Sequence, residues 1–273
     1  MKHSAALIAV LLAGCAQQPA TRFAQGGGIV STNPCSDQLL VALAPDRIAA
    51  ISHYSQEPGA SSIPLDIARR FPATAGTAEE VIALKPDLVV ASSFTPKPTL
   101  DAYRRAGLRV LLLDSPTTIA ASEAQIRQVA TALGEPAKGE TMIAKIEAAV
   151  AAATPRDGAR PSALLYIGGD FANAGPSLLT EMIARAGLGD ASKDYGLAFS
   201  GTVPIETIAL KPPALLLSTD PANRIAWLRR EVVAKTGAKM VEARFPRNLV
   251  NCGGPSIAPA MRVLAAARAR VVS

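Results

Sequence analysis

Ile82-Ala83-Leu84-Lys85-Pro86 and Ile208-Ala209-Leu210-Lys211-Pro212 are the same five letters, and the offset of 126 that relates them also aligns Glu80 with Glu206. Each copy runs into a purely apolar stretch, Leu88-Val89-Val90-Ala91 in the first and Ala214-Leu215-Leu216-Leu217 in the second. Proline cannot continue a helix and disfavours helical backbone in the residue before it, so each copy reads as an acid, a short helix, a Lys-Pro stop and a buried strand. The same order at one spacing predicts two similar α/β lobes, with the cleft between them as the working part.

Outward from the first copy, Ile29-Val30-Ser31, Ile48 to Ser52, Leu88 to Ala91 and Val110 to Leu113 are short apolar runs bounded by Pro, Asp and Gly. Such runs suit parallel strands buried on both faces. Helical patterns separate them: Asp37 to Leu43, Glu79 to Leu84, and Pro98 to Ala106, the last ending at Gly107 as a helix C-cap does. Two helices then follow without a strand between them, Ile119 to Leu133 and Pro136 to Ala153, and the Ala-rich second one is the expected bridge between lobes. The alternation restarts with Ala163 to Ile167, Ser177 to Ala186, Ile205 to Leu210, Ala214 to Ser218, Ile225 to Ala234, Met240-Val241 and a last helix, Ala258 to Ala269. Trp227, inside a helical pattern, reads as core. The fold class expected is α/β: two similar lobes, each a short, mostly parallel sheet flanked by helices, joined by one long bridging helix. The boundaries are an N-terminal lobe over 28–135, bridging helix and linker over 136–158, and a C-terminal lobe over 159–273.

The beginning of the chain has a different character. Lys2 and His3 precede an apolar run, Ala5 to Leu12, too short to cross a bilayer as a helix, which takes roughly 20 apolar residues. Residues 1–14 read as a signal peptide, and Leu12-Ala13-Gly14-Cys15 resembles the lipobox of bacterial lipoproteins, in which Cys15 would carry the lipid. The small, polar residues of 15–27 suit a flexible tether. The net charge of +6 is spread over pairs such as Arg69-Arg70 and Arg229-Arg230 without interleaved aromatics. That is a solvated surface rather than a nucleic-acid groove.

Three segments carry a family resemblance: Gly28-Ile29-Val30-Ser31-Thr32-Asn33-Pro34, the copy from Glu79 to Val90, and Gly175-Pro176-Ser177-Leu178-Leu179. In this order, and over most of the chain, they resemble the periplasmic substrate-binding proteins of ABC importers for cobalamin and iron-siderophore complexes. The resemblance implies a monomeric carrier that holds a metal-chelate or corrinoid ligand in its cleft. Its partners would be an ABC permease with its ATPase and, through lipid on Cys15, the membrane. No nucleic acid, cofactor or catalytic step is implied. It also implies permease docking by acids at the start of the repeated helix in each lobe: Glu79, with Glu80 beside it, and Glu206. In the second lobe the position seven before Pro212 is Ile205, one step short of Glu206. A shifted helix start or the extra Pro213 would absorb the difference.

Ligands of such sheets sit beyond the carboxyl ends of the strands. That rule selects Asn33, Cys35 and Ser36 after the first strand, His53 and Tyr54 after the second, and Phe94 after the Leu88 run. In the second lobe it selects Asp170, Phe171 and Asn173, with Asn251 and Cys252 before the last helix. Tyr54, Phe94 and Phe171 are the rings able to stack on a flat or macrocyclic ligand, and Tyr54 resembles a ligand-contacting tyrosine of cobalamin carriers. The tryptophans lining those carriers' pocket are missing, Ser92 standing after Ala91, so cobalamin is not favoured over a ferric siderophore. Cys35 and Cys252 fall in loops of opposite lobes. Separate buried thiols are the first expectation, a disulfide stapling the cleft the second, and a metal or corrin contact the third.

Rival functions leave weaker traces. Carriers of naked zinc or manganese use several histidines, whereas only His53 follows the signal region. An enzyme would need a Gly-x-Ser-x-Gly elbow, a phosphate-binding glycine loop or a metal-spaced cluster, and none stands in the sequence. A haem carrier or a periplasmic sensor of the same fold would look almost the same at this level.

Overall fold

The computed structural model describes residue 23, residues 26–237 and residues 239–272. The signal peptide, Cys15 and most of the tether lie outside the described residues. The first sheet consists of β1 (Ile29–Ser31), β2 (Ile48–Ser52), β3 (Ala73–Thr74), β4 (Leu88–Ser92) and β5 (Val110–Leu113). All its pairings are parallel, in the order β3-β2-β1-β4-β5. Its helices are α1 (Pro34–Leu43), α2 (Leu65–Ala68), α3 (Ala78–Ala83) and α4 (Lys97–Arg105). After α5 (Ile119–Ala132) and α6 (Pro136–Ala153) the second lobe contains β6 (Ser162–Gly168), β7 (Phe171–Ala172), α7 (Leu178–Arg185), β8 (Gly189–Asp190) and β9 (Gly201–Thr202). It continues with α8 (Ile205–Leu210), β10 (Leu215–Ser218), α9 (Arg224–Lys235), β11 (Val241–Arg244) and α10 (Ile257–Val272). Its order is β11-β10-β6-β7-β9, with β8 also on β6. The β6-β10-β11 half is parallel like β1-β4-β5, while β7 and β9 run antiparallel. These two-residue strands carry too few letters for a periodicity and were not expected.

The repeat is real, but its structural spacing is 127. Helix α3 begins at Ala78 and α8 at Ile205, while β4 begins at Leu88 and β10 at Leu215. Burial follows the same spacing, since the one buried residue of each helix is Val81 and Ile208. The five identical letters are therefore one residue out of register, and the helix-to-strand interval is ten residues in both lobes, so Pro86 corresponds to Pro213 and Lys85 to Pro212. The stops differ in backbone: Lys85 is left-handed (φ 46), while Lys211, the counterpart of Leu84, caps α8 at φ -142 and ψ 75.

Strand pleating explains the layers. Leu88 and Val90 of β4 and Leu215 and Leu217 of β10 belong to one apolar cluster that runs through both lobes and takes in α1, α5, α6, α7 and α10. The alternate residues face outward: Val89 and Ala91 lie with Val81, Leu100 and Tyr103 of the first lobe, and Leu216 lies with Ile208 and Val233 of the second. Each sheet thus has its own outer helix layer and shares an inner one. Among the inner helices α5 and α6 approach so closely that a Cβ on Gly139 would stand 2.6 Å from that of Ala130. Near the start of α6, Lys138 Nζ donates to the Leu43 carbonyl at 3.0 Å. Just beyond its end, Asp157 pairs with Arg268 of α10. The helix therefore spans from one lobe to the other as expected. Trp227 does not conform: it is 52% exposed, because α9 turns Ala226, Arg229 and Val233 inward and position 227 lies off that face.

Helix α1 starts at Pro34, three residues earlier than expected. Asn33 caps it, its side chain accepting the Cys35 N–H, and proline takes the first turn, where a missing N–H costs nothing. One turn in, Asp37 is fully buried. Its Oδ2 accepts the Ser52 N–H at 3.1 Å and the Ser55 hydroxyl at 2.6 Å, which ties α1 to the turn carrying His53 and Tyr54, while Oδ1 has no partner. Burial pushes the Asp37 carboxyl from 3.8 up to about 7, against the opposing pull of hydrogen bonds from Ser31, Ser55 and Ser52. A raised folded value means that the native state holds an extra proton between about pH 4 and pH 7. This group's contribution is therefore fullest below pH 4 and is lost as pH rises through about 7. Asp37→Asn keeps the acceptor and removes the titration. Urea midpoints should show the variant more stable than the parent at pH 8, by on the order of 4 kcal/mol, and the two converging towards pH 4; a pH-independent difference would contradict the assignment.

Candidate functional site

Between the lobes lies a cavity of about 390 Å³. The first lobe contributes Asn33, Cys35 and Ser36 from the start of α1, Ser92 and Phe94 after β4, Asp114 to Thr117 after β5, and Gln125 of α5. From the second lobe come Ser177 to Leu179 and Met182 at the start of α7, and Val250 to Gly253 from the segment between β11 and α10. Because both sheets are parallel at their centres, these loops leave the carboxyl ends of the strands on the same side, as the fold rule requires. Beside the cavity is a second depression of about 390 Å³, lined by Pro34, Tyr54, Glu57 to Ala60, Arg247 and Asn251. Asn251 belongs to both spaces.

Several expected residues are brought together here. Phe94 is 77% exposed and Tyr54 52% exposed, so both rings present bare faces. His53 packs against Tyr54 with ring centroids 4.0 Å apart, and its Nδ1 lies 3.3 Å from the Thr74 carbonyl. It supports the tyrosine and lines neither space. Asn33 and Ser36 line the wall while serving α1: Asn33 as its cap, Ser36 by donating to the Asn33 carbonyl at 2.9 Å.

Others stand apart. Asp170 and Phe171 sit on the β6–β7 hairpin and touch neither space. Asn173 is buried, and its amide is engaged by Thr180 at 3.0 Å and Ser177 at 3.2 Å, which anchors the start of α7. Among the lining residues that went unselected by sequence are Asp114, Gln125, Met182 and Arg247. Asp114 follows β5 directly, so the strand-end rule applied there would have found it. Arg247 comes three residues after β11 in a stretch that reads as an ordinary surface loop. Its guanidinium is the cationic group lining the outer depression.

The cysteines overturn the first expectation. Cys35 and Cys252 form a disulfide, with Cα atoms 5.2 Å apart and a sequence separation of 217. Closing a loop of that size removes unfolded-state entropy on the order of 5 kcal/mol. Separate thiols were expected because the 245–256 segment counted as part of the far lobe. In fact it crosses to the near one: the Gln38 amide donates to the Gly253 carbonyl at 2.7 Å, and the Gly254 N–H donates to Ser122 Oγ at 2.6 Å. Metal or corrin contact through a thiol is thereby excluded for the bonded form. Among the described residues no group of three or more His, Cys, Asp or Glu side chains is gathered as for a metal ion.

The acids expected to dock, Glu79, Glu80 and Glu206, are exposed in both lobes. Glu79 and Glu206 both occupy the second position of their helices. Three residues before each, a tyrosine hydroxyl holds the backbone: Tyr103 donates to the Gly76 carbonyl at 2.6 Å and Tyr166 to that of Val203 at 2.7 Å. Glu80 differs, because its carboxylate accepts the Thr74 hydroxyl at 2.8 Å and the Ala75 N–H at 2.7 Å. These bonds, the Thr74 one first, hold it below the usual carboxylate range.

Similarity to known proteins agrees with this geometry. The model of the family described as periplasmic binding protein matches residues 29–244. The periplasmic heme-binding protein RhuT from Roseiflexus sp. RS-1 in apo form superposes with a TM-score of 0.73 at 24% identity, over 91% of this chain and 100% of that one. Periplasmic heme binding protein HutB of Vibrio cholerae gives 0.70 at 15% identity, over 88% and 98%. Vitamin B12 binding protein BtuF of Vibrio cholerae gives 0.69 at 16%, over 89% and 96%. No curated protein matches the chain by sequence. With its whole sheet-bearing region covered by the family model and its two-lobed fold shared with those carriers, the chain belongs to the periplasmic binding protein family, whose members bind solutes in the periplasm for ABC importers.

Proposed function

We propose that the protein captures a metal-chelate nutrient complex, of the iron-siderophore or cobalamin class, in its inter-lobe cleft and delivers it unaltered to an ABC permease. The observation that carries this reading is the pair of adjoining spaces, each about 390 Å³, bordered by the bare rings of Phe94 and Tyr54 and by the Arg247 guanidinium. Ligand sites of this kind run to roughly 300–1,000 Å³ and combine apolar walls with a few oriented polar groups. An arginine at the mouth suits a carboxylate-bearing periphery, to which its planar fork can bond twice. Haem is a second reading. It is favoured by the exposed Tyr54, a phenol backed by the His53 ring and beside Arg247, and by the haem ligands named for RhuT and HutB. Cys15 would tether the carrier to the membrane as a lipoprotein, and one copy suffices, since both cavity walls come from one chain.

Titration with ferric siderophores, cyanocobalamin and haemin, followed by absorbance and native mass spectrometry, tests the class. One of them should bind with a dissociation constant of about 1 μM or tighter. Tyr54→Ala and Arg247→Ala should each weaken that complex about tenfold to a hundredfold, with Phe171→Ala as the neutral control. Binding of none by the oxidised protein would defeat the proposal.

For delivery, we infer that Glu79 and Glu206 are the permease contacts, one on each lobe, and that Glu80 serves its own turn. Exposed ion pairs contribute about 0 to 1 kcal/mol each, so two on opposite lobes orient the carrier rather than hold it. Glu79→Lys combined with Glu206→Lys should abolish uptake by cells while leaving ligand affinity within about twofold. Equal loss of affinity would place these acids in the binding site instead.

A further inference from the structure

The path of the chain between β11 and α10 gives the two lobes a tie independent of the bridging helix. Residues 245–256 leave the second sheet and run along the first lobe. Ser62 Oγ donates to the Asn248 carbonyl at 2.5 Å, Gln38 Nε2 to that of Gly253 at 2.7 Å, and the Gly254 N–H to Ser122 Oγ at 2.6 Å. The approach is tight enough that a Cβ on Gly253 would stand 2.6 Å from Ser122 Oγ. In the middle of this strap, Cys252 is bonded to Cys35, the second residue of α1, and both cysteines face the cavity. Cys252 is 5% exposed, whereas Cys35 is partly exposed, so the Cys35 side of the bond is the less buried one.

The shared inner layer resists sliding of the lobes as wholes, but the loops at the cleft mouth lie beyond it, and a fixed point between them sets their separation. The disulfide is that fixed point. It stands in the cavity wall itself, where a change in lobe separation would be felt first by a bound molecule. We propose that the Cys35–Cys252 bond is a positioning element for ligand capture: it sets the width of the cleft, so that the oxidised protein binds without lobe closure and the reduced protein opens and releases its ligand faster. The ligand half of this inference rests on the carrier reading given above; the half concerning lobe separation stands independently of it.

The test compares three samples of the full chain: oxidised, reduced with dithiothreitol, and carrying Cys35→Ser with Cys252→Ser. Amide hydrogen exchange and small-angle X-ray scattering report the lobes. Stopped-flow release of whichever probe binds the oxidised protein (haemin, cyanocobalamin or ferrichrome) reports the cleft. Breaking the bond should accelerate exchange at residues 92–94 and 250–254 by tenfold or more and enlarge the radius of gyration. It should also raise the dissociation rate about tenfold with little change in the association rate, a split that a general loss of stability would not produce. Reoxidation of the dithiothreitol-treated sample should restore all of these, which keeps the test valid if the double variant folds poorly. Unchanged exchange and scattering after reduction would overturn the proposal, as would unchanged release of a bound probe. If no probe binds any form, exchange and scattering still decide the tie between lobes, and it is the carrier reading that fails.

Discussion

Everything in this molecule depends on one apolar core that does not respect the division into lobes. Leu88 and Val90 from one sheet, Leu215 and Leu217 from the other, and the inward faces of α1, α5, α6, α7 and α10 form a continuous cluster. Fully burying a leucine or valine contributes about 1.5–3 kcal/mol, so the shared layer is worth more to the fold than the helix connection itself. Close-packed interiors resist sliding because any shift opens voids and forfeits contacts. The strand ends on either side of the cavity are thus held against one structural unit, and the outer clusters around Val81 and Ile208 only complete each sheet.

How much of this was legible before the structure can be argued residue by residue. The central strands and all the longer helices stood out because apolar runs ended at Pro, Gly or Asp, where backbone constraints leave few choices. The repeat announced the twofold plan, yet its letters misled by one position. Identical residues mark common ancestry or common chemistry, whereas register is set by which side chain enters the core, and that is Val81 in one lobe and Ile208 in the other. Correcting the register removes the apparent misfit of the second-lobe acid, because Glu206 then matches Glu79 rather than Glu80. The cysteine pairing was hidden for a different reason. It depends on the course of the strap across the first lobe, which is decided by contacts such as Gln38 with Gly253, more than two hundred residues apart in sequence.

The site itself was half legible. Strand-end loops identify Asn33, Cys35, Ser36, Tyr54, Phe94, Asn251 and Cys252, and all of these line one of the two spaces. The rule overreached at Asp170, Phe171 and Asn173 because a bend at the end of β6 sends the chain back as an antiparallel hairpin instead of into a helix over the cleft. It fell short at Arg247, whose relevance comes only from lining the same depression as Tyr54. A lone arginine after a strand carries no periodic or motif signal.

Rigidity and polarity at the wall have a common origin. Asn33 caps α1 and Ser36 bonds to its carbonyl, Gln125 donates to the Asp114 carbonyl at 2.6 Å, and Ser256 donates to the carbonyls of Cys252 and Gly253. The groups that shape the cavity are thereby already ordered by their own secondary structure before any ligand arrives. A molecule entering such a site incurs little of the ordering entropy that flexible walls would add, roughly 0.5–1.5 kcal/mol for each immobilised side chain. The bare rings of Tyr54 and Phe94 then supply apolar contact area with only two side-chain torsions each. A binding protein built this way meets its ligand with a preformed shape, so the free energy of capture is spent on contacts rather than on ordering the walls.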